Sequence, residues 1–390
     1  MKITFISNYM THHQFPFCEA MHSLLGDDFV FLAVDKIDKE RSKMGWETDY
    51  SKYPYIREYK DEDASLVLES DIVICGSVHV IYIKERLKYN KITFRYFERL
   101  YKKGRIKALA PRGYIRKIIE HTSRRKKNTY LLSAGAFVPA DFSMFFAYPD
   151  KMFKWGYFPE TEHMSFEDIM KIKSENEVKE ILWSGRMLDW KYPVMAVLLA
   201  DMLRTKGFRF HINMIGEGPE REGIEEFIDK LELREYITLH DFMKPEKVKE
   251  YMRKADIYLM TSDFAEGWGV VVNEAMGAGC NVVASAGAGA TGYLIEHEVN
   301  GLIYDTYNLE DLTHEVMKCF CKKEFAKSMA LNAYETIRDE WSPLEAATRF
   351  LELSKSLVDG ENIYFYDDGP LSKAYKVTPK NAYFQFTAPR

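Results

Sequence analysis

Short apolar runs alternate with amphipathic segments along the whole chain. In the first 160 residues the runs predict strands over 2–7, 29–34, 71–75, 91–96, 130–133 and 150–155. A helix is expected to open near Thr11 and to end at about Leu25. Strands that alternate with helices predict a parallel sheet with helices on both faces, known as a doubly wound sheet.

A second series of the same kind runs from Ile181 to Tyr304. The linker between the two series is expected in residues 157–162 and the acidic stretch that continues to Glu177. A chain of 390 residues exceeds one ordinary core, so two domains are predicted. Hydrophobic content of 46% and charged content of 29% are typical of a globular protein.

The most informative segment is Thr261-Ser-Asp-Phe-Ala-Glu-Gly-Trp-Gly-Val-Val-Val-Asn-Glu-Ala-Met-Gly-Ala-Gly-Cys280. Buried strands are predicted on either side of it, so the order is strand, loop, helix, strand. In such a unit the loop lies at the carboxyl edge of the sheet, where backbone N–H groups favour a phosphate. Gly267 and Gly269 allow the backbone to approach a ligand. Glu266 and Glu274 can accept hydrogen bonds from sugar hydroxyls. A nucleotide-sugar carries both phosphates for the amides and hydroxyls for the carboxylates.

Two glutamates near a helix start are also explained as solvated charges, because acids are favoured there. The whole segment, however, strongly resembles the Glu-x7-Glu signature of family 4 retaining glycosyltransferases. It has the Glu-Gly-Trp-Gly start, the Glu-Ala-Met continuation and the Gly-Cys-Asn-Val-Val-Ala-Ser strand that follows.

Two further stretches resemble the same family in the expected order. Glu180-Ile-Leu-Trp-Ser-Gly-Arg-Met-Leu-Asp-Trp-Lys-Tyr-Pro193 resembles its Gly-Arg segment, with Arg186 and Lys191 at the positions of two cations. The alternative is that both cations lie on a solvated loop. The stretch from Phe210 to Arg221 resembles the nucleotide-base loop of the family, although a lone Gly-x-Gly is weak evidence.

Asn300-Gly-Leu and Trp341-Ser-Pro343 match later family segments, so the resemblance covers roughly residues 180–355. It implies the GT-B architecture, in which two facing Rossmann-like doubly wound domains border a cleft. The implied domains are residues 1–160 for the acceptor and 175–340 for the nucleotide-sugar. A helix over 341–358 is expected to cross back to the first domain, and the tail over 359–390 has no assigned role.

The resemblance implies a glycosyltransferase of the hexosyltransferase type that moves a sugar from a nucleoside diphosphate, with UDP as the guess, to a glycan or lipid-linked acceptor. Retention of configuration is implied, with no cofactor and no required metal. Arg186 and Lys191 are expected to stabilise the leaving diphosphate, and Glu266 to contact the transferred sugar. The donor-binding candidates are Gly185, Gly216, Gly218, Gly267, Trp268, Gly269, Val270, Val271 and Glu274, with the last at the ribose.

Acceptor-side candidates come from loops that follow strands of the first domain. They are His12, His13, His79, Glu98 and Arg99. The chain lacks the Gly-Gly pair that the family often carries after the first strand. For Glu98 and Arg99 an ordinary surface salt bridge is an equally good explanation.

Charge is distributed unevenly. Residues 1–160 hold 27 Lys and Arg against 20 Asp and Glu, a balance of +7, whereas the whole chain has a net charge of −5. Eleven of these cations lie between Lys102 and Lys127, where Glu120 is the single acid. Interleaved apolar residues suit a surface that lies on anionic lipid headgroups, and the alternative is a solvated basic face. No nucleic-acid module accompanies the patch, so nucleic acid is not expected as a partner.

The expected location is the cytoplasm, with a peripheral position on the inner face of the membrane. No run approaches the roughly 18 uncharged apolar residues of a membrane span, and the start of the chain lacks a signal-peptide pattern. Five scattered cysteines predict reduced thiols. The implied pathway is synthesis of a surface polysaccharide such as capsule or O-antigen. Three alternative functions remain open: a nucleotide-sugar 2-epimerase, a phosphorylase, and a catalytically silent partner of another transferase.

Overall fold

The computed structural model describes residues 1–37, 49–102, 104, 110–160 and 164–388, and the chain forms two compact units. The first unit comprises residues 1–160 and 340–377, and the second comprises residues 161–339 and 378–390. The second unit therefore begins earlier than residue 175. The acidic stretch expected to be linker contains a helix, whose Phe166 and Ile169 are buried in that unit.

A seven-stranded parallel sheet forms the centre of the first unit. In chain order the strands are β1 Ile3–Ser7, β2 Phe29–Ala33, β3 Ile56–Glu58, β4 Ile72–Cys75, β5 Thr93–Phe97, β6 Thr129–Ala134 and β7 Met152–Trp155. The spatial order is β3-β2-β1-β4-β5-β6-β7, so the direction of winding reverses between β1 and β4. The α-helices of this part are α1 Phe15–Leu25, α2 Asp63–Glu69, α3 Lys84–Lys88, α4 Pro111–Glu120 and α5 Val138–Ser143.

The second unit is built on a six-stranded parallel sheet. Its strands are β8 Lys179–Ser184, β9 Phe210–Ile215, β10 Ile237–His240, β11 Ile257–Met260, β12 Asn281–Ser285 and β13 Leu302–Tyr304. The order β10-β9-β8-β11-β12-β13 places the reversal between β8 and β11. Its α-helices are α6 Phe166–Ser174, α7 Val194–Thr205, α8 Arg221–Lys230, α9 Pro245–Lys254, α10 Val271–Gly277, α11 Thr291–Leu294, α12 Leu309–Cys321 and α13 Lys323–Glu335. Two doubly wound parallel sheets confirm the predicted fold class.

The last two helices, α14 Pro343–Val358 and α15 Ala382–Thr387, belong to different units. Helix α14 packs in the first unit, where the Phe350 ring lies 4.9 Å from that of Phe94 and 5.9 Å from that of Trp155. Helix α15 packs in the second unit, where Phe386 lies so close to Gly292 that a Cβ there would stand 2.2 Å from its ring.

The chain between these two helices adds to the edge of the first sheet. The Lys154 N–H donates to Ser372 O at 2.8 Å, and the Leu371 N–H donates to Lys154 O at 2.9 Å. These bonds run antiparallel beside β7 and satisfy backbone groups that an edge strand leaves unpaired. The tail, to which the sequence assigned no role, is thus structural in both of its parts. None of the described helices is both long and apolar enough to span a bilayer.

Candidate active site

The predicted donor residues lie where the winding of the second sheet reverses. Strands β8 and β11 are hydrogen-bonded neighbours, with Ile181 paired to Ile257 and Leu182 to Tyr258. Helices that leave adjacent strands on opposite sides open a crevice at the carboxyl ends, and ligands of doubly wound proteins bind there. The loop after β8 carries Lys191, and the loop after β11 carries Glu266, so both residues reach this edge of the sheet.

Lys191 and Glu266 are in direct contact. The Lys191 ammonium donates to Glu266 Oε2, which also accepts from Ser262 Oγ at 3.1 Å. The two side chains are only 19% and 14% exposed, so water screens their attraction weakly. The sequence predicted both residues from separate motifs, and the fold brings them together.

The two loops are fixed to each other by buried hydrogen bonds. Thr261 Oγ1 accepts from Trp183 Nε1 at 2.8 Å and donates to Lys191 O at 2.6 Å. The Asp263 N–H donates to Trp190 O at 2.8 Å. Lys191 therefore has a fixed backbone, and its ammonium can change partner without moving the loop.

Arg186, the other predicted cation, lies exposed at the carboxyl end of β8. Its side chain makes no hydrogen bond or ion pair with any residue that the structure describes. The structure does not bring Arg186 into contact with either glutamate. Its guanidinium is thus available to an anionic ligand, whereas Lys191 is already engaged.

Gly216 and Gly218 allow the loop after β9 to pack against the loop after β8. Gly216 has φ +142°, and a Cβ there would lie 1.9 Å from Gly185 O. Gly218 has φ +153°, and a Cβ there would lie 2.3 Å from Met187 O. A Cβ at Gly185 would meet nothing closer than 3.8 Å. The first two glycines therefore have a packing role that the sequence did not separate from ligand contact.

The loop of residues 267–271 offers unused backbone donors. Within the described part of the chain, the N–H groups of Gly267, Gly269, Val270 and Val271 donate no hydrogen bond. Gly269 has φ +95°, and a Cβ there would lie 2.5 Å from Met260 Cε, so the close turn requires glycine. Unpaired donors at a loop of this kind suit phosphate or sugar oxygens.

Trp268 occupies a different position from the other predicted donor residues. Its side chain is 1% exposed, and its Nε1 donates to Asn273 Oδ1 at 2.9 Å. The indole ring also packs 6.2 Å from the ring of Tyr293. The side chain therefore holds the loop on the body of the second unit.

Glu274 lies in α10 as a partly buried carboxyl group with no side-chain hydrogen bond or ion pair among the described residues. Burial raises the pKa of this carboxyl to about 7, and Lys249 offsets a small part of the shift. A carboxylate that has lost water and gained no donor is costly. Donor hydroxyls of a ligand would remove that cost.

In the first unit, three predicted acceptor residues follow strands β1 and β4, on either side of the reversal, and two follow β5. Three of the five, His12, His13 and Glu98, lie in one cluster around Tyr157. The Tyr157 hydroxyl donates to Glu98 Oε1 at 2.8 Å, and its ring lies 5.9 Å from that of His13. Glu98 Oε2 accepts from Lys102 Nζ at 2.6 Å. The His12 ring lies 3.6 Å from the His13 ring.

The other two acceptor candidates have local structural roles. His79 is exposed, and its Nδ1 accepts from the Ile81 N–H at 3.3 Å, which caps a short helical turn. Arg99 is buried and lies 3.7 Å from the carboxylate of Asp141, with the two side chains 2% and 0% exposed. The alternative to an acceptor-binding role for Arg99 was a surface salt bridge. The structure instead shows a salt bridge in the interior of the first unit.

Sequence analysis gave no role to Tyr157, Tyr192 or Tyr307. The Tyr307 hydroxyl donates to Asp263 Oδ2 at 3.0 Å, and its ring lies 4.9 Å from that of Tyr192. Tyr192 follows Lys191 directly and Asp263 lies three residues before Glu266, so both stood inside the quoted motifs. Tyr307 comes from a distant loop, and no sequence signal marked it.

One group of side chains has the ligand atoms of a metal site. His297, Glu298 and Glu315 place nitrogen and oxygen atoms within 4.8 Å of one another. Lys318 Nζ already donates to Glu298 at 2.6 Å and to both oxygens of Glu315 at 2.8 and 2.9 Å. The ammonium takes the place that a cation would occupy, and the group lies outside the donor loops.

A cavity of about 310 Å³ opens on the face of the second sheet beside α9. Glu180, His211 and Asn213 line it, and they are hydrogen-bonded to each other. It contains none of the predicted donor residues.

The basic region of residues 102–127 is described except at 103 and 105–109. Helix α4 carries no buried residue, and it exposes Ile115, Ile118 and Ile119 by 56%, 36% and 62%. Helical spacing places these three isoleucines on one face, with Arg112 and Arg116 beside them. This face combines apolar and cationic groups.

Comparison with known proteins agrees with this geometry. Residues 165–336 of 390, under half of the chain, match the family model of glycosyl transferases group 1. The chain is 29% identical over 153 residues to the amylovoran biosynthesis glycosyltransferase AmsK of Erwinia amylovora. The aligned region covers 38% of this chain and 36% of AmsK. The matches to the first curated relatives span 33%, 42% and 36% of their lengths.

Solved structures match almost the whole chain. HepE of Anabaena, solved in complex with UDP, has a TM-score of 0.68 at 15% identity and covers 91% of this chain and 100% of HepE. The lipopolysaccharide outer core galactosyltransferase WaaB in its apo form has a TM-score of 0.66 at 16% identity and covers 90% of this chain and 98% of WaaB. The chain therefore has the GT-B fold of glycosyltransferases.

Proposed function

We propose that the protein is a retaining glycosyltransferase that transfers a sugar from a UDP-sugar to a hydroxyl of a glycan or lipid-linked acceptor. The observation that carries the proposal is the contact of Lys191 with Glu266 at the reversal of the second sheet, beside unused amides and an unpaired Glu274. Cation, amides and carboxylates at one edge match the diphosphate, sugar and ribose of such a donor. The match to glycosyl transferases group 1 supports the same reaction class.

Each part of the donor would contact a different set of groups in the site. The diphosphate would lie against Arg186, Lys191 and the amides of residues 267–271, because the N–H groups of Gly267, Gly269, Val270 and Val271 donate to no group that the structure describes. Glu266 would accept from hydroxyls of the transferred sugar, and Glu274 from those of the ribose. Lys191 would then exchange part of its contact with Glu266 for a phosphate oxygen.

In the proposed step, the acceptor oxygen forms a bond to the anomeric carbon, and the bond from that carbon to the β-phosphate oxygen breaks. The acceptor proton passes to the departing phosphate oxygen. Negative charge grows on the diphosphate, so fixed cations and amides lower the barrier. Retention and independence of metal rest on the resemblance to family 4 enzymes.

UDP is favoured over other nucleotides because HepE was solved with UDP, with UDP and glucose, and with UDP-glucose. A role in surface polysaccharide synthesis is supported by AmsK. We further propose that α4 lies on the inner face of an anionic membrane, with Ile115 and Ile119 in the headgroup region and Arg112 and Arg116 near lipid phosphates. An acceptor attached to a lipid would be presented there.

The test measures UDP release and product formation with a panel of UDP-sugars, with and without mixed glycan and lipid acceptors. Lys191→Met should lower turnover about 10²- to 10³-fold, because it removes one fixed charge from the leaving group. Lys206→Met is the matched control, since Lys206 is an exposed lysine after α7.

Equal turnover in the two lysine variants would contradict the assignment. A new nucleotide-sugar formed without any acceptor would identify the 2-epimerase alternative. Binding of UDP-sugars without release of UDP under any condition would indicate a catalytically silent partner.

A further inference from the structure

The interior of the first unit contains a buried arginine without a counter-ion. Arg95 lies in the middle of β5 and is 3% exposed. Its Nε and Nη1 have no hydrogen-bond partner, and its guanidinium forms no ion pair among the described residues. Its guanidinium carbon lies 5.0 Å from the ring centroid of Phe97.

A charge in this position is expensive. Taking an ion out of water costs several kcal/mol unless a partner of opposite charge and hydrogen bonds replace the lost water. Arg86, another buried arginine of this unit, illustrates the usual solution, because its guanidinium donates to five backbone carbonyl groups and to Thr93 Oγ1. Arg95 has no comparable set of acceptors.

Two other buried polar atoms without a hydrogen-bond partner belong to residues that neighbour Phe97. Ser133 is paired in register with Phe97 on the neighbouring strand, so its side chain points to the face that carries Arg95. The His121 ring meets the Phe97 ring at 5.5 Å. Ser133 Oγ and His121 Nε2 are both buried without a hydrogen-bond partner, and each residue is 0% exposed.

His121 presents its free nitrogen as a donor in one of its two neutral tautomers. Nδ1 lies 2.7 Å from the hydroxyl of Tyr148. Burial, assisted by Arg95 and Lys117, lowers the pKa of His121 to about 2, so the ring is neutral. Burial raises the pKa of Tyr148 to about 12, so its hydroxyl keeps its proton. In the tautomer in which that hydroxyl donates to Nδ1, the imidazole hydrogen lies on Nε2.

No nearby acid of the described chain compensates Arg95. Glu120 pairs with Arg116 at 2.9 Å, and its carboxylate stands 3.7 Å from His121 Nε2, beyond a hydrogen bond. Asp141 pairs with Arg99 and accepts from the Leu100 N–H at 3.1 Å. The charged groups around Arg95 are therefore mainly positive, and the Cys75 thiol beside it is a weak acceptor that carries no compensating charge.

We propose that Arg95, Ser133 and His121 form an internal site for a small inorganic anion that is distinct from the nucleotide-sugar site. The anion would accept from the guanidinium, the hydroxyl and the imidazole Nε2, and its negative charge would neutralise Arg95. Because every member of the site is buried, the anion acts as a structural component of the first unit rather than as a substrate.

Thermal unfolding of the full chain tests the proposal. Sodium chloride, sodium bromide and sodium phosphate are compared with sodium gluconate, whose anion is too large for the site, at equal ionic strength. At 100-fold excess over Kd, the bound anion should raise Tm by about 5–10 °C above gluconate. A rise with both halides identifies a halide site, and a rise with phosphate alone identifies an oxyanion site.

Arg95→Met should abolish the difference between anions, because the apolar side chain needs no counter-ion. Arg112→Met is the control, since it removes the same charge from an exposed position on α4 and should keep the full difference. Ser133→Ala should reduce the difference in Tm between the small anions and gluconate. It is the variant to use if Arg95→Met does not fold. Crystals grown with bromide should show an anomalous peak beside Arg95.

Equal Tm in all four salts for the unmodified chain would overturn the proposal. So would an identical anion dependence in Arg95→Met and Arg112→Met, or the absence of bromide beside Arg95.

Discussion

The same sheet topology has opposite electrostatic outcomes in the two units. At the carboxyl edge of the first sheet, Glu98 is bonded through both oxygens to Tyr157 and Lys102, and Arg99 is buried against Asp141. At the corresponding edge of the second sheet, Arg186 and Glu274 have no side-chain partner among the described residues. Polar groups that are hydrogen-bonded within the protein stabilise the fold, whereas unpaired polar groups at the edge of the sheet can bind a ligand.

Two arginines make the contrast testable. Arg186→Met should reduce sugar transfer about 10²- to 10³-fold and change the free energy of unfolding by less than about 0.5 kcal/mol, because the side chain is exposed and unpaired. Arg99→Met should destabilise the protein by about 3–5 kcal/mol, because it leaves Asp141 buried without its cation. Denaturant unfolding and a transfer assay measure both. Stable, inactive Arg99→Met together with unfolded Arg186→Met would reverse the comparison.

The glycines after β8 and β9 allow a second comparison, between a residue needed for packing and one that is free to contact a ligand. Gly218→Ala should destabilise the second unit by about 2–4 kcal/mol, because its Cβ would strike Met187 O at a backbone conformation that L-residues avoid. Gly185→Ala meets no atom closer than 3.8 Å and should keep normal stability, so any loss of UDP-glucose binding would report on the ligand alone. Similar Tm values for the two variants would show that the loops do not need this close approach.

Glu274 makes the stability of the second unit depend on pH. Burial raises its folded pKa to about 7, above the value of about 4.3 in an unfolded chain, so its contribution to stability is present below pH 4.3 and is lost as pH rises to 7. The loss amounts to about 4 kcal/mol at most, and Glu274→Gln should remove this slope from denaturant unfolding measured between pH 5 and 8.

The same carboxyl should make donor binding depend on pH. Ribose hydroxyls bind the ionised form, so the affinity for UDP-glucose should fall about tenfold from pH 8 to pH 6. UDP-glucose is preferred to UDP because neither of its phosphates titrates in this range. Isothermal titration of Glu274→Gln should give weaker binding that does not vary with pH, and a retained pH dependence would assign the titration elsewhere.

Much of the second unit could be predicted from local sequence. Strands β8, β9, β11 and β12 are short apolar runs with turn residues at their ends, and the glycine-rich loops follow them directly. The contact of Lys191 with Glu266 follows from strand order, because residues after neighbouring parallel strands meet at one edge. The helix α6 was missed because its many charges resemble a linker, although Phe166 and Ile169 have the spacing of a buried helical face.

The first unit was less predictable. Glu98 and Arg99 are adjacent in sequence, yet one lies beside Tyr157 and the other is buried with Asp141. Alternation along a strand does not say which polar side chain will find a distant partner.

The sequence by itself determined the two doubly wound sheets and the residues of the donor loops, because apolar periodicity, turn chemistry and motif spacing are local properties. The tertiary structure decided which of these polar groups are paired. It buried the side chain of Trp268 against Asn273, joined Lys191 to Glu266, and left Arg186, Glu274 and the interior Arg95 without an ion pair among the described residues. Pairing depends on contacts between segments far apart in the chain, so local sequence does not show which polar groups find a partner.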